Sequence, residues 1–273
     1  MRTVIHLSDL HFGRIDSAIL APLLKFIGEV KPALVAISGD LTQRARTAEF
    51  VAAKEFLAAI PFPQIVVPGN HDVPLHNLFA RFTRRLDRYR RYITADLQPV
   101  FADAEIVVVG VNTARAFTWK DGRINRRQLE QLRATLKSAP VERTKIVVTH
   151  HPFDLPAGAT GRVVGRSGLA IKTLAECGVD LLLAGHFHIA DTSQTAKRYQ
   201  LPGFSAIIVS SGTSTSTRGR GQPNSLNVIR IDAPNLLIER RIWRPTSNSF
   251  DIFSVEQFRR AESGWTRERS QND

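Results

Sequence analysis

Short apolar, β-branched runs ending in polar clusters recur along the chain. The first three are Val4-Ile5-His6-Leu7-Ser8-Asp9, Leu34-Val35-Ala36-Ile37-Ser38-Gly39-Asp40 and Ile65-Val66-Val67-Pro68-Gly69-Asn70. Two more follow, Ile146-Val147-Val148-Thr149-His150 and Leu181-Leu182-Leu183-Ala184-Gly185-His186. Apolar runs this short, bounded by Gly and Pro, read as buried strands.

Helical spacing fills the gaps. Ser17 can cap a helix through about Val30, with Leu20, Leu23, Leu24 and Ile27 on one face, and Thr47 can cap another through about Ala59. Gln128 to Leu136 and Ser167 to Cys177 read as further helices, the second ending at Gly178. Phe79 to Ile93 reads as one arginine-rich amphipathic helix, with Phe79, Phe82, Leu86, Tyr89 and Ile93 as its packing stripe. From Ala206, the runs at 207–209, 226–231 and 236–243 read as successive, mostly antiparallel strands. Alternation of strand and helix predicts an α/β architecture. The expected organisation is one domain over residues 1–246, with a polar, loosely held tail over 247–273.

Composition narrows the class. With 43% hydrophobic and 23% charged residues, the chain belongs with ordinary globular proteins rather than disordered ones. Its apolar runs fall far short of the roughly 20 residues that span a bilayer, and residues 1–3 lead straight into a strand pattern with no signal-like segment. The single cysteine, Cys177, excludes a disulfide framework and a thiolate-rich zinc site, and reads as a small buried hydrophobe. Together these predict a cytoplasmic protein without a membrane span. A net charge of +12 predicts attraction of anions; nucleic acid, lipid surfaces and phosphorylated metabolites all fit it.

Chemistry concentrates where the strand runs end. The clusters are Asp9-Leu10-His11, Gly39-Asp40, Gly69-Asn70-His71-Asp72, His150-His151-Pro152 and Gly185-His186-Phe187-His188. In an α/β sheet, ligands collect beyond the carboxyl ends of strands. The i, i+2 spacing of Asp9 with His11, and of His186 with His188, suits extended backbone with both side chains on one side. Imidazole, carboxylate and one amide oxygen without thiolate favour Mn, Fe or Zn over all-oxygen Ca or Mg cages. Seven donors exceed a single tetrahedral zinc, so two ions sharing a carboxylate are expected.

The five blocks, in this order, resemble the calcineurin-like metallophosphoesterases, whose pattern is D-x-H, G-D, G-N-H-[DE], H and G-H-x-H. The resemblance runs from Asp9 to His188. It implies a four-layer α-β-β-α sandwich of two mixed sheets flanked by helices, with a dinuclear site at the strand ends. Asp9, His11, Asp40 and His188 would hold one divalent or trivalent ion; Asp40, Asn70, His150 and His186 would hold the other. His71 would face the substrate phosphate, with Asp72 fixing its orientation. Two ions would acidify a shared water, the attacking hydroxide, and stabilise both attacking and leaving oxygens.

The expected function is hydrolysis of small phosphodiesters, with 3′,5′-cyclic nucleotides first because the chain looks like bacterial class III cyclic-nucleotide phosphodiesterases and their glycerophosphodiesterase relatives. Alternatives are a nuclease, favoured by the charge, a broad phosphodiesterase or phosphomonoesterase, and a catalytically silent scaffold, which intact ligand positions oppose. Asn70, Arg218 and Arg220 are further candidates for substrate contact, the arginines on a Gly-rich loop. His6 is expected to be a hydrogen-bonded core residue, His76 a loop residue, and His151 a structural or ligand-supporting group.

Overall fold

All five of those runs form strands, and they divide between two sheets. The computed structural model describes residues 1–75, 77–118, 120–218, 221–262 and 264–268. In it β1 (Arg2–Leu7), β2 (Leu34–Ile37) and β3 (Gln64–Val66) run parallel, linked by α1 (Leu20–Val30) and α2 (Thr47–Ala58). Next come α3 (Leu78–Thr83), α4 (Asp87–Tyr92), β4 (Val100–Ala102), β5 (Ile106–Gly110) and α5 (Arg126–Ser138). They are followed by β6 (Thr144–Val148), α6 (Ser167–Glu176), β7 (Leu181–Ala184), β8 (Asp191–Gln194) and β9 (Ile207–Ser210). The chain closes with β10 (Ser225–Asp232), β11 (Asn235–Arg244), β12 (Ser249–Ala261) and β13 (Gly264–Arg267).

One sheet has the order β13-β12-β11-β10-β1-β2-β3 and the other β4-β5-β6-β7-β9-β8; both mix parallel and antiparallel pairs. Their facing surfaces share a core: Val4, Ala36 and Ile229 from one pack with Val108, Val148 and Leu183 from the other. On the outer faces, α1 and α2 cover the first sheet through Leu23, Ile27 and Phe50, and α5 and α6 cover the second through Leu132 and Leu174. This is the α-β-β-α sandwich. No helix among the described residues is long and apolar enough to cross a membrane.

Four expectations change. The cap of the first helical segment is Asp16, whose carboxylate accepts from Ala18 N; at α2 the Glu49 carboxylate closes the start by accepting from the Arg44 and Arg46 amides. The run at 207–209 is not an antiparallel neighbour of 226–231; β9 lies parallel to β7 in the other sheet. The arginine-rich segment 79–93 is two short helices, not one. Phe79 and Phe82 stay exposed, while Arg81 is buried, its guanidinium donating to the Ala116 and Pro74 carbonyls. These carbonyls come from flanking loops, so the first turn docks through a cation and not through the expected stripe.

The segment from 247 is not a loose tail through most of its length. β12 pairs along β11, and β13 pairs back on β12. Its polarity reflects a strand held by backbone hydrogen bonds with much of one face in water. Phe250, Phe258 and Trp265 are buried, and Trp265 Nε1 donates to Asp180 at 2.8 Å.

Candidate metal centre

Tight turns, not extended backbone, deliver the candidate ligands. Asp9, His11, Asp40, His186 and His188 all have φ between 51° and 78°, a left-handed conformation uncommon for residues other than glycine. The i, i+2 pairs therefore converge because both members curl the same way, not because alternate side chains of a strand share a face. Glycines allow the loops to pack together: a Cβ on Gly69 would overlap Asp40, and one on Gly185 would overlap Ser8.

The seven side chains meet in two groups. In the first, Asp9 Oδ1 lies 3.1 Å from His188 Nε2 and 3.6 Å from His11 Nε2, and the two imidazole nitrogens are 3.1 Å apart. In the second, Asn70 Oδ1 lies 3.1 Å from His150 Nε2 and 3.0 Å from His186 Nδ1. Asp40 sits between: its Oδ2 is 3.8 Å from His11 Nε2 and 3.3 Å from His150 Nε2. All but Asn70 and His186 are essentially buried.

The surroundings fix which atoms face inward. Nδ1 of His11, His150 and His188 donates to the carbonyls of Thr42, Ser38 and Arg218, leaving each Nε2 aimed at the centre. Asp9 Oδ2 accepts from the Ser8 hydroxyl at 2.6 Å and from His186 N at 3.0 Å, whereas Oδ1 is buried with no hydrogen bond. A buried carboxylate oxygen without a donor, beside two imidazole nitrogens, is costly unless a cation meets it. Charge points the same way. Burial opposes protonation of His150, yet Asp40 and Asp9 push it up to about 9, so this cavity draws positive charge. His186, further from the carboxylates, is instead lowered to about 3 by burial and by His150. The donor set thus fits metal ions of the imidazole-carboxylate type, and the histidines and aspartates could hold one.

His71 Nδ1 donates to the Gln43 carbonyl at 2.8 Å, which leaves Nε2 facing a cleft of about 240 Å³. Arg218 reaches the same cleft and donates to that Nε2. Asp72 does not hold the His71 ring. Its carboxylate accepts from the amides of Leu41, Thr42 and Gly69 and from the Thr42 hydroxyl, so it ties the Asp40 turn to the Asn70 turn. Burial and the Asp40 carboxylate push Asp72 up to about 6 despite those donors. Arg220 and His76 lie outside the described residues.

His6 is a buried core residue bonded to Ser38 Oγ at 2.9 Å. His151 is buried 4.7 Å from the His186 ring and pairs through Nδ1 with Thr113 Oγ1, a supporting position beside the cluster. Sequence reasoning missed Ser8 and Thr42, which orient carboxylates, and Lys120, Asp121 and Arg162 on the cleft wall. Ser8 and Thr42 flank the aspartate motifs and could have been flagged; the wall residues come from long loops with no local pattern.

A sandwich of two mixed sheets, with histidines and aspartates clustered beyond its strand ends, defines a metallophosphoesterase-type α/β protein. A model of the calcineurin-like phosphoesterases matches residues 2–190, and the chain belongs to that family. It is 28% identical over 160 residues to the 3′,5′-cyclic adenosine monophosphate phosphodiesterase CpdA of Escherichia coli (strain K12), covering 57% of this chain and 54% of that protein. The match thus spans about half the length of that relative. Similarity to the glycerophosphodiester phosphodiesterase GpdQ of Enterobacter lignolyticus (strain SCF1) is 25% over 197 residues, 67% of this chain and 69% of that one. Among solved structures, the yellow lupin purple acid phosphatase PPD1 aligns over 93% of this chain and 53% of its own, with TM-score 0.70 at 13% identity. GAP50 of Plasmodium aligns over 99% and 90%, with TM-score 0.61 at 13% identity. These two share the fold.

Proposed function

We propose that the protein is a phosphodiesterase for small anionic substrates, with two Mn, Fe or Zn ions held by the seven converging side chains. The observation that supports this best is the Asp40 carboxylate, whose Oδ2 stands between the His11 and His150 nitrogens of the two groups. Bound there, the ions would supply Lewis-acid charge and an acidified water. The chain's own residues do the rest. Lys120, Arg162 and Arg218 line the cleft against the single acid of its outer wall, Asp121, and attract a phosphate group. His71 Nε2 accepts from Arg218 in this arrangement, and can pass a proton to the leaving oxygen once Arg218 turns to the phosphate and Nε2 takes up a proton. Asp72 keeps the two ligand turns in register.

Cyclic 3′,5′-nucleotides are the first substrate class to test, on the likeness to CpdA. A glycerophosphodiester is the second reading, favoured because the GpdQ match covers more of both chains. Assays of purified protein with added manganese, iron or zinc would compare 3′,5′-cyclic AMP, 2′,3′-cyclic nucleotides, glycerophosphodiesters, phosphomonoesters and single-stranded DNA. Hydrolysis of cyclic AMP ahead of the rest supports the first reading, and preference for a glycerophosphodiester supports the second. Salt-sensitive cleavage of DNA alone would replace both with a nuclease. No hydrolysis of any of them would end the phosphodiesterase reading.

A further inference from the structure

Away from the metal cleft, a pocket of about 390 Å³ opens between α4 and the start of α5. Arg85, Arg90, Arg115 and Arg127 line it, against one acid, Asp96. It shares no lining residue with the metal cleft. None of the four arginines forms an ion pair among the described residues.

We propose that this pocket binds the phosphate group of a small phosphorylated anion, at a site separate from the metal centre. Arg115 is the anchor. Its guanidinium is half-buried, donates to the Ala114 carbonyl at 3.0 Å and is braced by Gln128 Oε1. Gln128 in turn donates to the Asn112 carbonyl at 2.7 Å, so a chain of hydrogen bonds backs Arg115. Burial and the neighbouring Arg85 and Arg123 lower Arg115 to about 10, a sign that its charge stands among like charges. Ala114 takes one hydrogen of Nη1 and Gln128 one of Nη2, and the hydrogens left over on the guanidinium can bond phosphate oxygens. Arg90 and Arg127 reach in from exposed positions on two different helices, and converge on a concavity where a nucleic-acid track would spread along a surface.

The test uses the metal-loaded protein and inorganic phosphate. Calorimetric titration at constant ionic strength is combined with peptide-resolved hydrogen exchange. The wild type is expected to bind phosphate in two classes, and phosphate should protect residues 85–98 and 125–131, none of which lines the metal cleft, as well as the cleft itself. The double variant Arg90→Gln, Arg127→Gln, changed only at exposed side chains, should lose that protection and one class of binding. It should keep its turnover. Arg218→Gln, altered in the metal cleft, should keep the protection of 125–131. Unchanged binding in the double variant, protection confined to the cleft, or equal protection by chloride would each overturn the proposal.

Discussion

Arg218 serves two histidines at once: its Nη1 lies 3.1 Å from His71 Nε2, and its backbone carbonyl accepts from His188 Nδ1 at 3.1 Å. One loop residue therefore orients a candidate ligand with its main chain and meets the phosphate-facing imidazole with its side chain. Arg218→Gln removes the charge and keeps the carbonyl. A charge-assisted hydrogen bond contributes roughly 1.5–3 kcal/mol, so KM for a phosphodiester should rise about tenfold or more while metal content stays the same. Steady-state kinetics with metal analysis checks this; an unchanged KM would remove Arg218 from substrate contact.

His71→Ala separates chemistry from metal binding. The ring is anchored by the Gln43 carbonyl and makes no bond to a candidate ligand side chain; its amide alone donates to Asp40. That amide survives the substitution. Both ions should remain, and kcat should fall by about 10²–10⁴, the usual scale of a lost general acid. Normal turnover in this variant would disprove the role.

Ser8→Ala tests the support behind Asp9. The Ser8 hydroxyl holds Oδ2 and so aims Oδ1 at the imidazoles. Loss of such a partner typically weakens metal affinity about 10–100-fold. Competition with a chromogenic chelator reads the effect; equal affinity would mean the His186 amide suffices to hold the carboxylate.

Trp265→Ala measures how firmly the last strands are held. Removing a buried Trp typically costs about 3–5 kcal/mol, and urea denaturation should register a loss of that order. A change under about 0.5 kcal/mol, the range of surface substitutions, would restore the picture of a loose tail.

Asp103 supplies a pH-dependent contribution away from the centre. Burial pushes its carboxyl up, but the Glu105 and Ile106 amides and Arg2 outweigh this and hold it below the usual aspartate range. A carboxyl depressed on folding stabilises above its unfolded pKa, about 3.9, and the gain is lost as pH falls through the folded value. Asp103→Asn should therefore lower stability at pH 7 and converge with wild type in acid, as denaturation at several pH values would show. Equal differences at every pH would exclude ionisation as the cause.

Five buried strands, β1, β2, β3, β6 and β7, and most helices were legible in the sequence because each has one dominant local signal, whereas β5, an equally apolar run over 106–110, went unread. β7 is a continuous apolar run, and α5 repeats Leu129, Leu132 and Leu136 on one face. β12 was not legible: its alternation is diluted by exposed Ile252, Phe253 and Val255, and its stability comes from backbone pairing that leaves no trace in residue order. The 79–93 segment misled because Arg81 makes its bonds to carbonyls brought near only by folding. Motif order located the seven converging side chains, but not how the turns bend or what steadies them. Asp72 shows the limit. Adjacency to His71 pointed to the ring, while the folded chain gives its carboxylate to three amides and a hydroxyl.

The left-handed turns beneath Asp9, His11, Asp40, His186 and His188 dictate which inert variants are informative. Such a conformation costs a non-glycine residue on the order of 1–3 kcal/mol, and asparagine adopts it more readily than alanine does. Asp40→Asn would silence the carboxylate and leave the turn at ease, whereas Asp40→Ala would blend a lost charge with a newly awkward backbone. Knockouts built with alanine at these five places would thus mistake a folding defect for a chemical one.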